Sequence, residues 1–136
     1  MASRGEIWLA NLNPPHGTEP GKTRPVFIVQ AQALLDAGHP STVIIPMTTN
    51  LLEDAEPLRV RVPVSGQLRE PSDLLVHQLR AIDNRRLAQG PLAQLSPVIM
   101  SQVNEALREV LDLDDEPPGS IADTRRVTGD GGSGSA

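Results

Sequence analysis

Arg24 lies in a sequence context that suits the binding of an anion. It follows a stretch rich in proline and glycine, residues 13–23, and directly precedes the apolar run Pro25–Val29. The first stretch predicts a loop of about a dozen residues, a length that is usually functional or disordered in a small domain. The apolar run predicts a buried strand. A guanidinium fixed between the two can bind a phosphate or a carboxylate through paired hydrogen bonds.

A second polar cluster follows the apolar run Thr42–Met47, which predicts another strand. Two hydroxyls and one amide stand together there, in Thr48, Thr49 and Asn50. From the residue types alone, the favoured interpretation is a turn in which these side chains bond their own backbone. Pro46, late in the run, predicts an edge strand or the end of a strand.

The three histidines, at positions 16, 39 and 77, show no spacing typical of metal ligands, and the chain has no cysteine. The sequence therefore predicts no metal site, no disulfide and no cofactor. An imidazole titrates near neutral pH, so His16 and His77 are candidate general bases. The alternatives are an exposed loop residue for His16 and a packed strand residue for His77.

Alternating and continuous apolar patterns predict a mainly β protein with one helix near its end. Leu58–Val62 alternates strictly and places Arg59 and Arg61 on one face, which we interpret as a solvated face; the alternative is a wall of a nucleic-acid groove. Ser96 and Pro97 are typical of the first positions of a helix. The predicted strands cover 6–12, 25–29, 42–47, 58–62 and 74–80, a short helix or bend covers 31–35, and the long helix covers 96–113.

The 136 residues predict one folded domain at 1–113 and an acidic, disordered tail at 114–136. The net charge of −5 is uneven: residues 1–111 carry 11 acidic and 10 basic side chains, and residues 112–136 carry 6 and 2. The folded part is thus close to neutral, which leaves room for a local basic groove. There is no apolar run of membrane-spanning length and no signal-peptide pattern, so we expect a cytoplasmic protein without a membrane partner.

Several motifs, in this order along the chain, resemble those of the MazF/PemK toxins of type II toxin–antitoxin systems. The resemblance extends from about residue 4 to about residue 111. Its motifs are Arg-Gly-Glu-Ile-Trp at 4–8, Asn13-Pro14, Gly17-Thr18-Glu19, Arg24-Pro25-Val26, the Thr-Val-Ile-Ile-Pro-Met-Thr-Thr frame at 42–49 and Gln-Leu-Arg-Ala-Ile at 78–82.

The resemblance implies a small SH3-like antiparallel barrel with a C-terminal helix, assembled as a homodimer. It also implies a sequence-selective, metal-independent endoribonuclease, an mRNA interferase, in which the ribose 2′-OH attacks the adjacent phosphate. The expected partners are single-stranded RNA, chiefly mRNA with tRNA or rRNA as alternatives, and a cognate antitoxin that neutralises the toxin.

The resemblance also assigns site residues. Arg24 is expected to clamp the phosphate and Thr49 to hydrogen-bond the phosphate or the 2′-OH, with Glu19 and His16 as further catalytic candidates. Some family members use a His, an Arg and an Asp at positions that here hold Thr18, Leu75 and His77, so the acid and base of that subgroup do not carry over. The expected RNA-binding residues are Gly17, Thr18, Thr48, Asn50, His77, Gln78 and Arg80.

Two other functions are consistent with the sequence. Some toxins on the same barrel bind DNA gyrase and cleave nothing, since a fold does not determine a function. A catalytically degenerate barrel that binds only RNA or protein is the third hypothesis. The departures from the subgroup pattern motivate this third hypothesis. The low aromatic content also favours it, because Trp8 and Phe27 alone leave few stacking platforms for bases.

Overall fold

The computed structural model describes residues 1–13, 17–18 and 22–113. The predicted tail at 114–136, and the candidate residues His16 and Glu19, lie outside the described residues. Seven strands and two α-helices follow in chain order: β1 Glu6–Asn11, β2 Thr23–Ile28, α1 Gln32–Asp36, β3 Ser41–Thr48, β4 Arg59–Val62, β5 Ser72–Leu75, β6 Arg80–Asp83, β7 Leu87–Gln94 and α2 Pro97–Leu111; 3-10 turns at Val76–Gln78 and Asn84–Arg86 precede β6 and β7.

All strand pairs are antiparallel, and the sheet runs in the order β4-β5-β3-β2-β1-β7, with β6 paired to β3 beside this path. The two ends of the path meet, because the Gln67 N–H in the β4–β5 connection donates to the Leu92 carbonyl of β7 at 2.8 Å. The sheet therefore curls into a small barrel. The prediction of a mainly β fold with a C-terminal helix is confirmed.

The central strands β2 and β3 are buried on both faces, and their alternation distributes the side chains between two cores. Phe27 points into the core that α2 covers with Val103 and Ala106. Its neighbours Val26 and Ile28 point into the second core, which lies on the side of α1. Because most of these side chains are aliphatic, strand register rather than aromatic stacking specifies the packing.

β1 alternates regularly between the two cores. Ile7 lies in the first core, Ala10 lies on the opposite side of the strand in the second core, and Leu9 is only partly buried. The register of β1 with β2 is continuous, whereas its register with β7 shifts between Ile7 and Leu9 and again between Leu9 and Ala10. The irregularity therefore lies in β7 and leaves the alternation of β1 unchanged.

The prediction of one strand over 74–80 is wrong. β5 pairs with the end of β3 and with β4, whereas β6 pairs with the start of β3. The 3-10 turn at Val76–Gln78 carries the chain along the same side of β3 from one position to the other, and Val76 stays buried in it. A buried turn of this kind keeps the apolar residues of a strand and is not distinguished from one by periodicity.

Pro46 does not mark an edge, because β3 is paired on both sides. One side pairs with β2, and Pro46 stands opposite Val26 there. The other side changes partner between Ile44, the last residue paired with β6, and Met47, the first paired with β5. Pro46 falls in that interval, where no partner requires an amide hydrogen. The eight-residue β7 was not predicted, since Gly90 and Pro91 interrupt its pattern.

α2 begins and packs as predicted. The Ser96 hydroxyl accepts a hydrogen bond from the Ile99 N–H at 3.3 Å, and Pro97 is the first helical residue. The helix ends at Leu111, two residues before the predicted end, where Asp112 adopts a left-handed conformation with φ of 56°. In the described part of the chain, no helix has the length and apolar character needed to span a membrane.

Gly90 allows β7 to contact the indole of Trp8, since a Cβ atom at this position would overlap the ring. We therefore expect Gly90→Ala to lower the free energy of unfolding by about 1–3 kcal/mol. Urea denaturation followed by the fluorescence of Trp8, the one tryptophan of the chain, measures this. Gln89→Ala on the same strand is exposed and should change stability by about 0.5 kcal/mol or less. Equal stabilities for the two variants would contradict the contact.

Candidate active site

The start of β2 and the end of β3 lie side by side. Val26 is paired with Pro46, and in an antiparallel pair the same register two residues further brings Arg24 beside Thr48. The Arg24 Nη1–H donates to the Met47 carbonyl at 3.0 Å. Two sequence features separated by more than twenty positions therefore form one site.

An open groove of about 440 Å³ lies at this junction. One wall comes from the start of β2 and the end of β3, and the other comes from the β4–β5 connection and β7. Three basic side chains and one acidic side chain line the groove, so its local charge is positive although the chain is acidic. The lining residues are Lys22, Thr23, Arg24, Pro25, Met47, Thr48, Thr49, Asn50, Gln67, Leu68, Arg69, Glu70, Ser72 and Leu92.

Thr48 and Thr49 have different roles in the local structure. The Thr48 hydroxyl accepts a hydrogen bond from the Asn50 N–H at 3.1 Å, which is the backbone turn that the residue types favoured. Thr49 is exposed in the groove, and no hydrogen bond of its hydroxyl is recorded within the described residues. A hydroxyl in this position can donate to or accept from a ligand.

Arg59 and Arg61 form neither a freely solvated face nor a wall of this groove. Both guanidinium groups donate to the carboxylate of Asp73, which is 1% exposed. Burial alone would raise the pKa of Asp73, but the hydrogen bonds that the carboxylate accepts, led by that from Arg61, outweigh this effect. The pKa of Asp73 therefore lies below the ordinary aspartate value, and the group is ionised at neutral pH.

The groove suits a ligand with phosphate groups. The side chains of Lys22, Arg24 and Arg69 supply positive charge, and Thr49 and Asn50 supply hydrogen-bonding groups beside it. Arginine can offer two parallel donors to one phosphate, whereas lysine acts as a point charge. An anion bound in this groove would thus have two arginines and the Thr49 hydroxyl among its lining residues.

The remaining predicted site residues that the structure describes are not among the residues that line this groove. Gly17 and Thr18 are exposed in the β1–β2 loop. His77 is exposed on the 3-10 turn with Nδ1 3.4 Å from the Leu58 carbonyl. Gln78 ends that turn, and Arg80 begins β6 opposite Ile44. Their roles in RNA binding stay predictions, as do those of His16 and Glu19.

Four charged or amide side chains of the groove were not recognised from the sequence: Lys22, Gln67, Arg69 and Glu70. Three of them belong to the β4–β5 connection, which reads as an ordinary polar loop. The connection is held in place by backbone contacts, since Gly66 has φ of 53° and Gln67 donates to Leu92. The only available signal was the charged pair Arg69-Glu70 between two predicted strands, which does not reveal where the loop packs.

Comparisons with known proteins show the family and the fold of the chain. Residues 3–111 match the family described as PemK-like, MazF-like toxin of type II toxin-antitoxin system. Over 111 residues the chain is 36% identical to "Endoribonuclease MazF" of Staphylococcus saprophyticus, with 79% of this chain and 88% of that protein covered.

Solved structures of similar fold include MazF from Deinococcus radiodurans, with a TM-score of 0.69 at 20% identity, covering 82% of this chain and 97% of that one. An endoribonuclease in complex with its cognate antitoxin, from a mycobacterial species, gives a TM-score of 0.67 at 19% identity, covering 85% and 100%. At these identities the structural similarity establishes the fold, which is the SH3-like barrel that the motifs implied.

Asp73 should make stability depend on pH in a defined direction. Because its pKa is depressed in the folded state, its charge stabilises the fold fully above the unfolded-state pKa of about 3.9, and this contribution is lost as the pH falls through the folded-state value. Asp73→Asn lacks the contribution. The difference in unfolding free energy between wild type and variant should thus be greatest at neutral pH and shrink below about pH 4. Urea denaturation over this range measures it.

Asp83→Asn is the matched control. Asp83 is also paired with an arginine, Arg85, which lowers the pKa of Asp83 to about 2, but the pair is largely exposed to solvent. Its loss should therefore change stability much less. A difference between wild type and Asp73→Asn that does not vary with pH would contradict an ionised Asp73 in the fold.

Proposed function

The chain belongs to the PemK-like, MazF-like toxin family of type II toxin–antitoxin systems, and from this premise we propose that it is a sequence-selective, metal-independent endoribonuclease that cleaves single-stranded RNA. Its 36% identity to a protein named Endoribonuclease MazF supports this activity. The observation that carries the proposal is the meeting of Arg24 and Thr49 in one basic groove, because these are the residues that the family resemblance assigned to phosphate binding.

The proposed reaction is an in-line attack by the ribose 2′-OH on the adjacent phosphorus. The bond from phosphorus to the 5′ oxygen breaks, and the products are a 2′,3′-cyclic phosphate and a 5′-hydroxyl end. Charge develops on the non-bridging oxygens in the transition state, so preorganised donors there lower the barrier. Arg24 supplies such a donor, and its bond to the Met47 carbonyl holds it at the groove.

Thr49 has a positioning role in this mechanism. Its hydroxyl is too weak an acid to act alone as a general base, but it can hydrogen-bond the phosphate or the 2′-OH. His16 and Glu19 are the proposed candidates for proton transfer, since an imidazole and a carboxylate both serve as general bases. RNA binding is proposed for Gly17, Thr18, Thr48, Asn50, His77, Gln78 and Arg80. Of these, Thr18, Asn50, Gln78 and Arg80 are the candidates for recognising unstacked bases of mRNA, tRNA or rRNA.

We also propose a cognate antitoxin as the protein partner and a homodimer as the assembly. The mycobacterial neighbour is an endoribonuclease in complex with its cognate antitoxin, which supports the partner. The dimer rests on the family resemblance.

Purified protein should cut a long mixed-sequence RNA at discrete sites in excess EDTA, and Arg24→Ala should lower kcat/KM about a hundredfold or more. Mapping of product ends identifies the cleavage sites and the recognition sequence. Arg85→Ala is the control, because Arg85 is 91% exposed, is paired with Asp83 and lies outside the groove lining. It removes the same charge and should leave cleavage unchanged.

Two results would count against this function. Cleavage by Arg24→Ala at the wild-type rate would remove Arg24 from the mechanism. Absence of cleavage by folded wild-type protein would reject the nuclease itself, and a DNA gyrase supercoiling assay and an RNA-binding assay would then separate the two other hypotheses.

The two neighbouring threonines should respond differently to the loss of a hydroxyl. We expect Thr49→Val to lower kcat about tenfold at unchanged thermal stability, since only a hydrogen bond to substrate is lost. Thr48→Val should lower the free energy of unfolding by about 1 kcal/mol, because the Asn50 N–H loses its acceptor. RNA cleavage kinetics and urea denaturation of both variants test this. Wild-type kcat in Thr49→Val would refute the assigned role.

A further inference from the structure

Asp73 is the one buried charged side chain among the residues that the structure describes. Burial of a carboxylate costs free energy, and well-packed apolar residues in its place often stabilise a fold as well or better. Its presence therefore points to a role in specifying a conformation. The conformation in question is that of the loop that follows β3.

The Asp73 carboxylate lies behind this loop and not in the groove. β5 alternates faces here: Ser72 lines the groove, whereas Asp73 lines a separate small pocket of about 80 Å³ beneath residues 52–56. In the sheet Asp73 is the cross-strand neighbour of Thr48 on one side and Arg61 on the other. Asp73 therefore lies beside the last residue of β3, where that strand ends.

Asp73 is connected to the backbone just beyond Thr49 both directly and through Arg59. The Asp73 Oδ2 atom accepts directly from the Leu52 N–H at 3.0 Å. It also accepts from Arg59 Nη1 at 3.1 Å, and the same nitrogen donates to the Asn50 carbonyl at 2.8 Å. One carboxylate therefore determines the position of two backbone groups, at Asn50 and at Leu52.

Arg61 strengthens the same arrangement. Its Nε–H donates to Asp73, and its Nη2 donates to Glu53 at 3.0 Å and lies 3.4 Å from the Leu52 carbonyl. The two arginines balance the charges of Asp73 and Glu53, so the cluster is neutral as a whole. Arg24 fixes the other end of the segment through the Met47 carbonyl. Thr48, Thr49 and Asn50 are consequently held from both ends by guanidinium groups.

We propose that Asp73 is a positioning residue for the groove: through Leu52 and Arg59 it fixes the Thr48–Asn50 segment and holds the Thr49 hydroxyl at the groove surface. The residue does not touch the substrate. The part of this inference that concerns cleavage rests on the proposed nuclease function, whereas the part that concerns loop conformation does not.

Asp73→Asn tests the proposal, because asparagine has nearly the same volume and lacks the charge. Hydrogen exchange of individual amides reports the loop directly. We expect exchange at Leu52 and Asn50 to accelerate about tenfold or more relative to the amides of β1 and β2. In RNA cleavage with excess EDTA, kcat should fall about tenfold or more while KM changes by less than about threefold, since a misplaced group lowers the rate of the chemical step.

Asp83→Asn again serves as the control, because it removes an arginine-paired carboxylate outside the groove lining. Its loop exchange, kcat and KM should match those of wild type. The proposal is overturned if loop exchange in Asp73→Asn is unchanged, or if all amides accelerate by one common factor, which indicates global destabilisation only. Wild-type kcat in a variant with a loosened loop would overturn the link to cleavage.

Arg59→Gln provides a second variant in case Asp73→Asn does not fold. It frees the Asn50 carbonyl while Arg61 and Leu52 still bind Asp73. Faster exchange confined to the loop supports the proposal, and wild-type exchange there overturns it. If wild-type protein cleaves no RNA, the proposed function fails, and the exchange data still decide whether Asp73 positions the loop.

Discussion

The antiparallel pairing of β2 with β3 is the constraint on which the site depends. It places the start of one strand beside the end of the other, so Arg24 reaches the Met47 carbonyl. Both strands are buried on both faces, with Phe27 and Ile45 in one core and Val26 and Ile44 in the other. A slip of one residue would exchange these faces, so the packing of both cores holds the groove in register.

The charge of the groove differs in sign from the net charge of the chain. The chain carries a net charge of −5, yet the groove is lined by three basic residues and one acidic residue. Of the arginines in the described part of the chain, Arg24 and Arg69 line the groove, whereas Arg59 and Arg61 bind a buried carboxylate. The abundance of arginine therefore does not by itself indicate phosphate binding. What each guanidinium contacts decides its role.

Much of the fold was predictable because its signals are local. Alternation in Leu58–Val62 predicted β4, and the Ser96 cap predicted the start of α2. That Arg24 and Thr49 belong to one site was predictable only through the family motifs, since the residue types around Thr49 favour a simple turn. The wall formed by Gln67, Arg69 and Glu70 was not predictable, because it depends on the contact between the β4–β5 connection and β7.

Asp73 was missed for a related reason. A single acidic residue among polar neighbours reads as a loop residue, and its burial follows from the pairing of β5 with both β3 and β4. The turn at Val76–Gln78 was missed because it keeps the apolar residues of a strand. Such features depend on which strands pair with each other, and this pairing cannot be read from a single sequence.

The two ends of β3 pair with different strands, and the partner changes near Pro46. The two ends also have different functions. The first half, paired with β6, serves the cores, while the last residues, paired with β5, form part of the groove. Ser41 and Thr48 are seven residues apart, which is about 23 Å along a strand. Substitutions at the two ends share no neighbours, so their free energies should be additive. The strand thus allows stability and groove chemistry to diverge independently in related sequences.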